Sequence, residues 1–476
     1  MMGRHRYDVV IVGSGPNGLT AGAALASEGK SCLLIESEDT IGGGCRTQEL
    51  TLPGFRHDVC SAVHPMGYMS PAFRQLKLEE VGIKWIHPPH SVAHPLDRQP
   101  AVMLSPDKAL TAERLDDADR TTFYESVQPL METFARVGPQ LLDPLCPRKD
   151  LLDLVRFGLR GIQPAKAFAS RLFDGPRAKA LFAGCAAHSI LPLTAWGTAA
   201  FGLIFLLSGG QFAWPIAKRG SQTIVDALAK TFVSHGGKLQ LSTRIQSFSD
   251  LPEAKRYVFD LSPKQLSSIC GDYLPARYRH RLARFRYGPA VFKIDYALSE
   301  PIPWSDPLCH DASTVHLGGT LEEIAASENA AWQGQACSNP FVLVCQQSHF
   351  DATRAPEGSH TGYAYCHVPF NSDVTPIVEL EKQIERFAPG FKDCVVARHT
   401  RNAKEFEAYN SSYCGGAITG GANTLSQLLT RPVARFVPYA TPNPRIYLCS
   451  QSTPPGGGAH GMCGYAAARF VSRSMD

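Results

Sequence analysis

No two of the fourteen cysteines in this 476-residue chain stand three positions apart. The sequence therefore has no Cys-x-x-Cys for zinc, an iron–sulfur cluster or a redox dithiol. The cysteines are also far too sparse for a disulfide scaffold and read as free thiols. No apolar signal core precedes the first strand, since Met1 to Arg6 is short and basic, so a cytoplasmic location is expected. No apolar run reaches the about 20 residues of a spanning helix. The longest, Ala195 to Leu207, reads as a buried helix, with a membrane-touching segment as the alternative. No basic stripe exists either: 47 Lys and Arg stand against 43 Asp and Glu, spread along the chain, for a net charge of +4. That excludes the usual footprint of a nucleic-acid binder. A composition of 44% hydrophobic and 19% charged residues excludes disorder and coiled coil as global descriptions. At roughly 150 residues per domain, the length amounts to about three domain-equivalents.

What is present begins at the N-terminus. Tyr7-Asp8-Val9-Val10-Ile11-Val12 is a β-branched apolar run of the kind found in buried parallel strands. It leads into Gly13-Ser14-Gly15-Pro16-Asn17-Gly18, a Gly-x-Gly-x-x-Gly, and then into a segment with Ala21, Gly22, Ala23, Ala24 and Ala26 at helical positions. Gly29-Lys30 turns the chain into a second apolar run, Ser31 to Ile35, which ends on Glu36. In this context Gly13 allows a tight turn, Gly15 a close backbone approach to a pyrophosphate, and Gly18 close helix–strand packing. Pro16 and Asn17 open the helix whose N-terminus faces the phosphates, and Glu36 accepts from ribose hydroxyls, with Ser37 next to it. The spacing predicts a dinucleotide-binding βαβ unit.

The segment after Glu36 resembles the flavoproteins of the glutathione-reductase fold type, in which Gly-Gly-x-x-Arg-Thr/Ser wraps FAD. Here it reads Gly43-Gly44-Cys45-Arg46-Thr47. By that resemblance Gly43, Gly44, Cys45, Arg46 and Thr47 lie along the diphosphate and near the flavin. Near the other end, Arg445 to Ser450 reads as a strand and leads through Pro454-Pro455-Gly456-Gly457-Gly458-Ala459-His460-Gly461-Met462-Cys463-Gly464-Tyr465 into an Ala-rich helix. In this fold type that junction aims a helix N-terminus at the flavin pyrimidine, and the resemblance gives this role to His460, Gly461 and Met462. A covalent flavin link at Cys463 is a minor alternative to a buried thiol.

Together the two ends resemble the phytoene-dehydrogenase-related oxidoreductases, which include carotenoid desaturases, carotenoid isomerases and the pyridine nucleotide-disulfide oxidoreductase domain-containing protein 2 group. Gly54 to Met66, Gly288 to Tyr296 and Arg386 to Phe391 extend the likeness over most of the chain. There are departures. Lys218-Arg219-Gly220-Ser221 replaces a Gly-Gly-Ser, and Gly415-Gly416-Ala417 replaces a Gly-Gly-Asp. The implied fold is α/β: a glutathione-reductase-type, Rossmann-like FAD-binding domain with an inserted substrate domain of mixed β-sheet and helices. The FAD domain would be discontinuous, built from residues 1–75, 211–276 and 406–476. Residues 76–210 and 277–405 would form the substrate domain. A helix over Gly220 to Ser234 and strands through Ile245 and Tyr257 to Leu261 belong to the first. The residue like Ile245 meets the adenine.

The implied function is an FAD-dependent dehydrogenase or desaturase that takes a hydride from a small hydrophobic substrate. With only one dinucleotide fingerprint, reoxidation by oxygen or a quinone is expected. The alternatives are a flavin amine oxidase, a redox-neutral flavin isomerase and a non-catalytic flavin-fold interaction protein. Contact with a membrane surface stays open, and oligomeric state is not legible. Three side chains are catalytic candidates. His367 lies on one strand face with Tyr363 and Tyr365, and Tyr365 is taken with it. Lys293 shares a strand face with Asp295, either as a solvent-side ion pair or beside the flavin. His64, His188 and His367 each read first as core histidines, with proton transfer as the alternative, and His367 is the one taken as catalytic candidate. His87, His90 and His94, beside prolines and without an acidic neighbour in their spacing, carry no expectation of a metal.

Overall fold

The apolar run at the N-terminus is buried along its length because it is the central strand of a parallel sheet. The computed structural model describes residues 6–143 and 149–475, so the start of the basic N-terminus and Cys146 lie outside the described residues. In chain order the strands are β1 (Tyr7–Val12), β2 (Cys32–Ile35), β3 (Thr47–Glu49), β4 (Arg56–Asp58), β5 (Trp85–Ile86), β6 (His90–Leu96), β7 (Gln99–Leu104) and β8 (Ile216–Ala217). They continue with β9 (Lys238–Gln240), β10 (Ala254–Phe259), β11 (Ala290–Leu298), β12 (Ala312–Leu317), β13 (Val342–Cys345), β14 (His360–Val368), β15 (Val395–Arg401) and β16 (Ile446–Leu448). Five form a parallel sheet in the order β16-β10-β1-β2-β9. Seven form a mixed sheet, β15-β11-β14-β13-β12-β6-β7, antiparallel except where β12 runs beside β6. The pairs β3-β4 and β5-β8 are two-stranded ribbons.

Helix Pro16–Ser27 crosses from β1 to β2 and packs against helices Met462–Arg473 and Gln222–Ser234. The approach is close enough that a Cβ at Gly464 would stand 1.8 Å from the carbonyl oxygen of Asn17. Small residues on these helices are thus a packing requirement. Behind the parallel sheet, Val10, Ile35 and Phe259 pack with Leu266, Tyr278 and Leu282. The core of this sheet therefore runs on past residue 276 into helix Ala276–Ala283. Helix Thr198–Phe212, which contains most of the long apolar run, is mostly buried against helices Gln128–Leu142 and Pro176–Ala187. Among the described residues no helix is long and apolar enough to cross a membrane.

The alternation in β11 sorts its two faces. Phe292, Ile294, Tyr296 and Leu298 pack with Leu380, Ile384 and Phe387 of helix Ile377–Phe387. Lys293 and Asp295 face the other way, yet all nine residues of the strand are buried. This corrects the solvent-side ion pair of the sequence reading. The ribbon strand β4 covers the second face, and His57 Nδ1 comes to 3.6 Å from Asp295. Next to it Asp58 pairs with Arg354, which also meets Asp351 at 3.4 Å. Asp58 accepts from the Ser221 N–H at 2.8 Å and from the Thr47 hydroxyl at 2.7 Å. Burial pushes its carboxyl up, but Arg354 and these donors outweigh that and hold it below the usual range. An interior ion pair therefore joins β4 to the segment after β13. Replacing Arg354 with Met leaves Asp58 buried without a counter-charge and is expected to cost about 3–5 kcal/mol. Urea unfolding measures it; a loss below about 1 kcal/mol, the size of a surface pair, contradicts this assignment.

Candidate functional site

The carboxyl ends of β1, β2 and β10 open on one cavity of about 840 Å³, as ligand sites in parallel α/β sheets do. Its first arm is built from backbone. Gly13 has φ of +100°, and a Cβ there would stand 2.9 Å from the carbonyl oxygen of Asp260. A Cβ at Gly18 would stand 2.1 Å from the carbonyl oxygen of Gly13. The helix that begins at Pro16 has no side-chain cap, so its N-terminal dipole is presented to the cavity. At the end of β2, Glu36 accepts the Ser14 N–H at 2.8 Å and the Glu38 N–H at 3.1 Å. Thr243 to Gln246 close this end.

Two buried atoms on this wall have no partner, Asn17 Oδ1 and Arg46 Nε. Arg46 otherwise donates to the carbonyl of Thr40 at 2.7 Å and to the Tyr409 hydroxyl at 3.3 Å. A glycine turn, an uncapped helix start, an acid at the second strand and unsatisfied polar atoms between them are what a dinucleotide completes. The arm leads on to Met66, Gly67 and the loop from Pro455 to His460, and from there to a second arm. The cofactor that fits this shape is FAD: the nucleotide half has its donors and its acid, and the far half opens into an apolar chamber where a reactive ring meets substrate.

The second arm has the mixed sheet as its floor. Leu343, Cys345, Tyr363, Tyr365 and His367 reach it from alternate positions of β13 and β14. Phe134, Leu141, Ile204, Phe205 and Trp214 wall it. Its polar centre is His367. Both oxygens of Glu328 lie against His367 Nδ1, at 2.8 and 2.9 Å, and His367 Nε2 is buried without a partner. This contact assigns the ring proton to Nδ1 and leaves a lone pair on Nε2. His188 stacks on Phe205 with 4.3 Å between ring centroids and meets His316 Nε2 at 3.2 Å. Burial lowers its pKa to about 3, so it stays neutral. His64 is likewise lowered to about 4 by burial and is held by the Ser221 hydroxyl at 2.9 Å.

Most sequence candidates meet here. Gly13, Gly15, Pro16, Asn17, Glu36 and Ser37 line the nucleotide arm, as do Gly43, Gly44, Cys45, Arg46 and Ile245. His460 lines the junction, and Tyr365 and His367 the second arm. Five do not line the cavity. Gly18 lies beneath it, its N–H donating to Asp260 Oδ2 at 2.8 Å. Thr47 is taken up by Asp58 and accepts from the Gln222 N–H at 3.1 Å. Gly461, with φ of +66°, is the tight turn before the last helix, and a Cβ there would stand 2.2 Å from Thr20 Oγ1. The N–H of Met462 is satisfied by His460 Nδ1 at 3.0 Å, so it has none to offer a flavin. Lys293 pairs with Asp295 and lies over the Tyr363 ring at 4.3 Å, behind the cavity floor, which removes it from any flavin-facing role. Cys463 donates to the carbonyls of Thr453 and Gly456, both at 3.4 Å, and also lies outside the lining.

The sequence reading passed over Glu328, Tyr409, Cys60 and Asp260. Asp260 carried a signal, a carboxylate closing the apolar run Tyr257 to Phe259 at a dinucleotide turn. Glu328 carried none, because it reaches His367 from a helix 39 residues earlier.

Comparison with known proteins agrees with this geometry. Residues 11–77 match the NAD(P)-binding Rossmann-like domain family. Over 98% of its length, the chain is 25% identical to the pyridine nucleotide-disulfide oxidoreductase domain-containing protein 2 of Rattus norvegicus, covering 94% of that protein. The Mus musculus protein is 27% identical over the same shares. Homology thus runs the length of the chain. Among solved structures, an oxidoreductase from Methanosarcina mazei superposes with a TM-score of 0.65 at 15% identity, over 98% of this chain and all of that one. A putrescine oxidase with bound putrescine gives 0.63 at 16% identity, over 98% and 99%. The fold is the Rossmann-like FAD-binding fold with a mixed-sheet substrate domain.

Asp260 makes this fold sensitive to pH. Burial pushes its carboxyl up to about 7; the Gly18 N–H pulls it down and Glu36 adds to the rise. The folded value lies above the ordinary 3.8, so the stability it contributes is complete below about pH 4 and is lost as pH rises through about 7. A bound diphosphate adds negative charge to the same turn. FAD affinity is therefore expected to fall by up to about tenfold per pH unit above about pH 7. Asp260→Asn, which still accepts from Gly18, is expected to flatten that dependence. Flavin fluorescence titration measures both; pH-independent binding by the unsubstituted protein contradicts this role for Asp260.

Proposed function

We propose that the protein is an FAD-dependent dehydrogenase or desaturase acting on a hydrophobic substrate, with oxygen or a quinone as final acceptor. The observation that carries this reading is the pairing of an apolar second arm with one oriented base, His367. Bound FAD supplies the hydride acceptor. The chain supplies the rest. Phe134, Leu141, Ile204 and Phe205 exclude water and hold an apolar chain. Glu328 fixes the His367 ring, and His367 Nε2 takes the proton that leaves as the substrate loses its hydride. Tyr365 packs edge-on against His367, with ring centroids 5.9 Å apart, and limits how that ring turns.

An amine oxidase reading has less support, although a putrescine oxidase shares the fold. The carboxylates that line the cavity, Glu36, Glu38, Asp260 and Glu407, belong to the nucleotide arm. Among the described residues none lines the second arm to receive an ammonium group.

A lipid surface is the source of substrate we favour. Helix Leu151–Gly161 leaves Leu151, Leu152, Val155 and Leu159 exposed, with Ile162 and Trp196 beside them. Arg156, which pairs with Asp153 at 3.3 Å, flanks this face. Gly161 packs onto Ala200, which lines the cavity.

Anaerobic mixing of flavin-loaded protein with apolar donors tests the activity. The flavin is expected to bleach with an isoprenoid or acyl donor and not with amines. His367→Gln is expected to slow bleaching by about 10²–10⁴-fold. Bleaching by amines alone sinks the reading. For the surface, sedimentation with anionic vesicles is expected to carry the protein down. Leu152→Asp with Leu159→Asp is expected to release it, and a variant that sediments unchanged contradicts the contact.

A further inference from the structure

Four cationic side chains are buried among the described residues: Arg46, Lys293, Arg354 and Arg431. Three have carboxylates, Arg46 with Glu36 at 3.7 Å, Lys293 with Asp295, and Arg354 with Asp58. Arg431 has none. It is 1% exposed, and its Nη2 reaches only the carbonyls of Gly421 and Ala422, both at 3.4 Å, and Asn423 Oδ1 at 3.3 Å. Its Nε and Nη1 have no partner. Burial lowers its pKa to about 10, which still leaves it charged at neutral pH. The titratable group that faces it is Cys463, whose thiol burial pushes up to about 12 and which therefore brings no negative charge.

A buried guanidinium without a counter-ion is costly, and a fold keeps one where an anion arrives from outside the chain. The place of Arg431 says where. A Cβ at Gly456 would stand 2.4 Å from its Nη1. The residues around Gly456, namely Pro455, Gly457 and His460, line the junction between the two cavity arms, and so does Asn423. The diphosphate turn at Gly13 to Asn17 belongs to the nucleotide arm. The charge thus sits behind the junction wall, where the second arm begins.

We propose that Arg431 is the counter-charge for reduced flavin, acting through the Pro455 to His460 loop. This rests on the FAD reading above. When a substrate C–H bond breaks and its electron pair passes with the hydrogen to flavin N5, one negative charge arises on the pyrimidine side of the ring. Arg431 compensates it without a second proton. Its role is positioning and electrostatic, and it need not touch substrate.

The test is the midpoint potential of flavin-loaded protein, together with its affinity for sulfite. Sulfite donates an electron pair to N5 and leaves the same negative charge on the ring. Arg431→Gln, which keeps polar length without charge, is expected to weaken sulfite binding at least tenfold. It is also expected to weaken reduced flavin tenfold relative to oxidised, a potential about 30 mV more negative for a two-electron couple. Arg431→Lys is expected to stay close to the unsubstituted protein. An Arg431→Gln protein with unchanged potential and sulfite affinity overturns the proposal. So does one that loses FAD affinity at unchanged potential, which assigns the charge to the diphosphate. If Arg431→Gln does not fold, the unsubstituted protein decides, because a flavin that forms no sulfite adduct contradicts a buried cation near its ring. A chain that takes up no flavin fails the FAD reading itself.

Discussion

Everything in this molecule is arranged around one constraint: two backbone segments must pass within contact distance at the ends of β1 and β10. The carbonyl of Asp260 lies so close to Gly13, and that of Gly13 to Gly18, that no side chain fits at either position. That crowding closes the turn, leaves the start of helix Pro16–Ser27 uncapped and sets Glu36 beside Ser14. The parallel sheet then gathers stretches far apart in the chain, since β2, β9, β10 and β16 all align on β1 directly or through one neighbour. A dinucleotide site assembled from segments more than 400 residues apart is a consequence of strand order.

The second consequence is electrostatic. The mixed sheet has to seal the cavity from the other side, and it does so with charge kept inside. Asp58 and Arg354 join β4 to the far segment, while Lys293 and Asp295 lie under the floor against His57. These pairs are matched within the protein. Among the buried groups of the described residues that have atoms without a partner, four stand beside or behind the cavity wall: His367 Nε2, Arg46 Nε, Asn17 Oδ1 and the guanidinium of Arg431. Partners are costly to omit in a buried network, and at these four a bound group can supply the missing one.

Much of this was legible in the amino-acid order, and the boundary has a physical cause. The βαβ unit and Glu36 are local patterns whose spacing carries their geometry, and the Gly43 to Arg46 segment and the His460 loop were marked by family resemblance. The alternation in β11 gave both faces correctly, but not that β4 would cover the second one, so Lys293 read as exposed or flavin-facing. Thr47 and Met462 sit inside recognisable motifs, yet neighbours from elsewhere consume their hydrogen bonds. Glu328 and Arg431 were out of reach because what matters about each is a partner, or the lack of one, brought by tertiary packing. Local pattern shows where a cofactor is held. Long-range packing decides which side chains have bonds to spare.

The central claim is that the crowded turn and the chamber beyond it hold FAD, and not a nicotinamide dinucleotide alone. Titration of the purified chain with FAD, NAD and NADP, followed by flavin fluorescence and calorimetry, tests it most directly. The account predicts one FAD per chain with its fluorescence quenched, displaced by neither nicotinamide dinucleotide. Saturable binding of NAD or NADP to a chain that leaves FAD free in solution would contradict it.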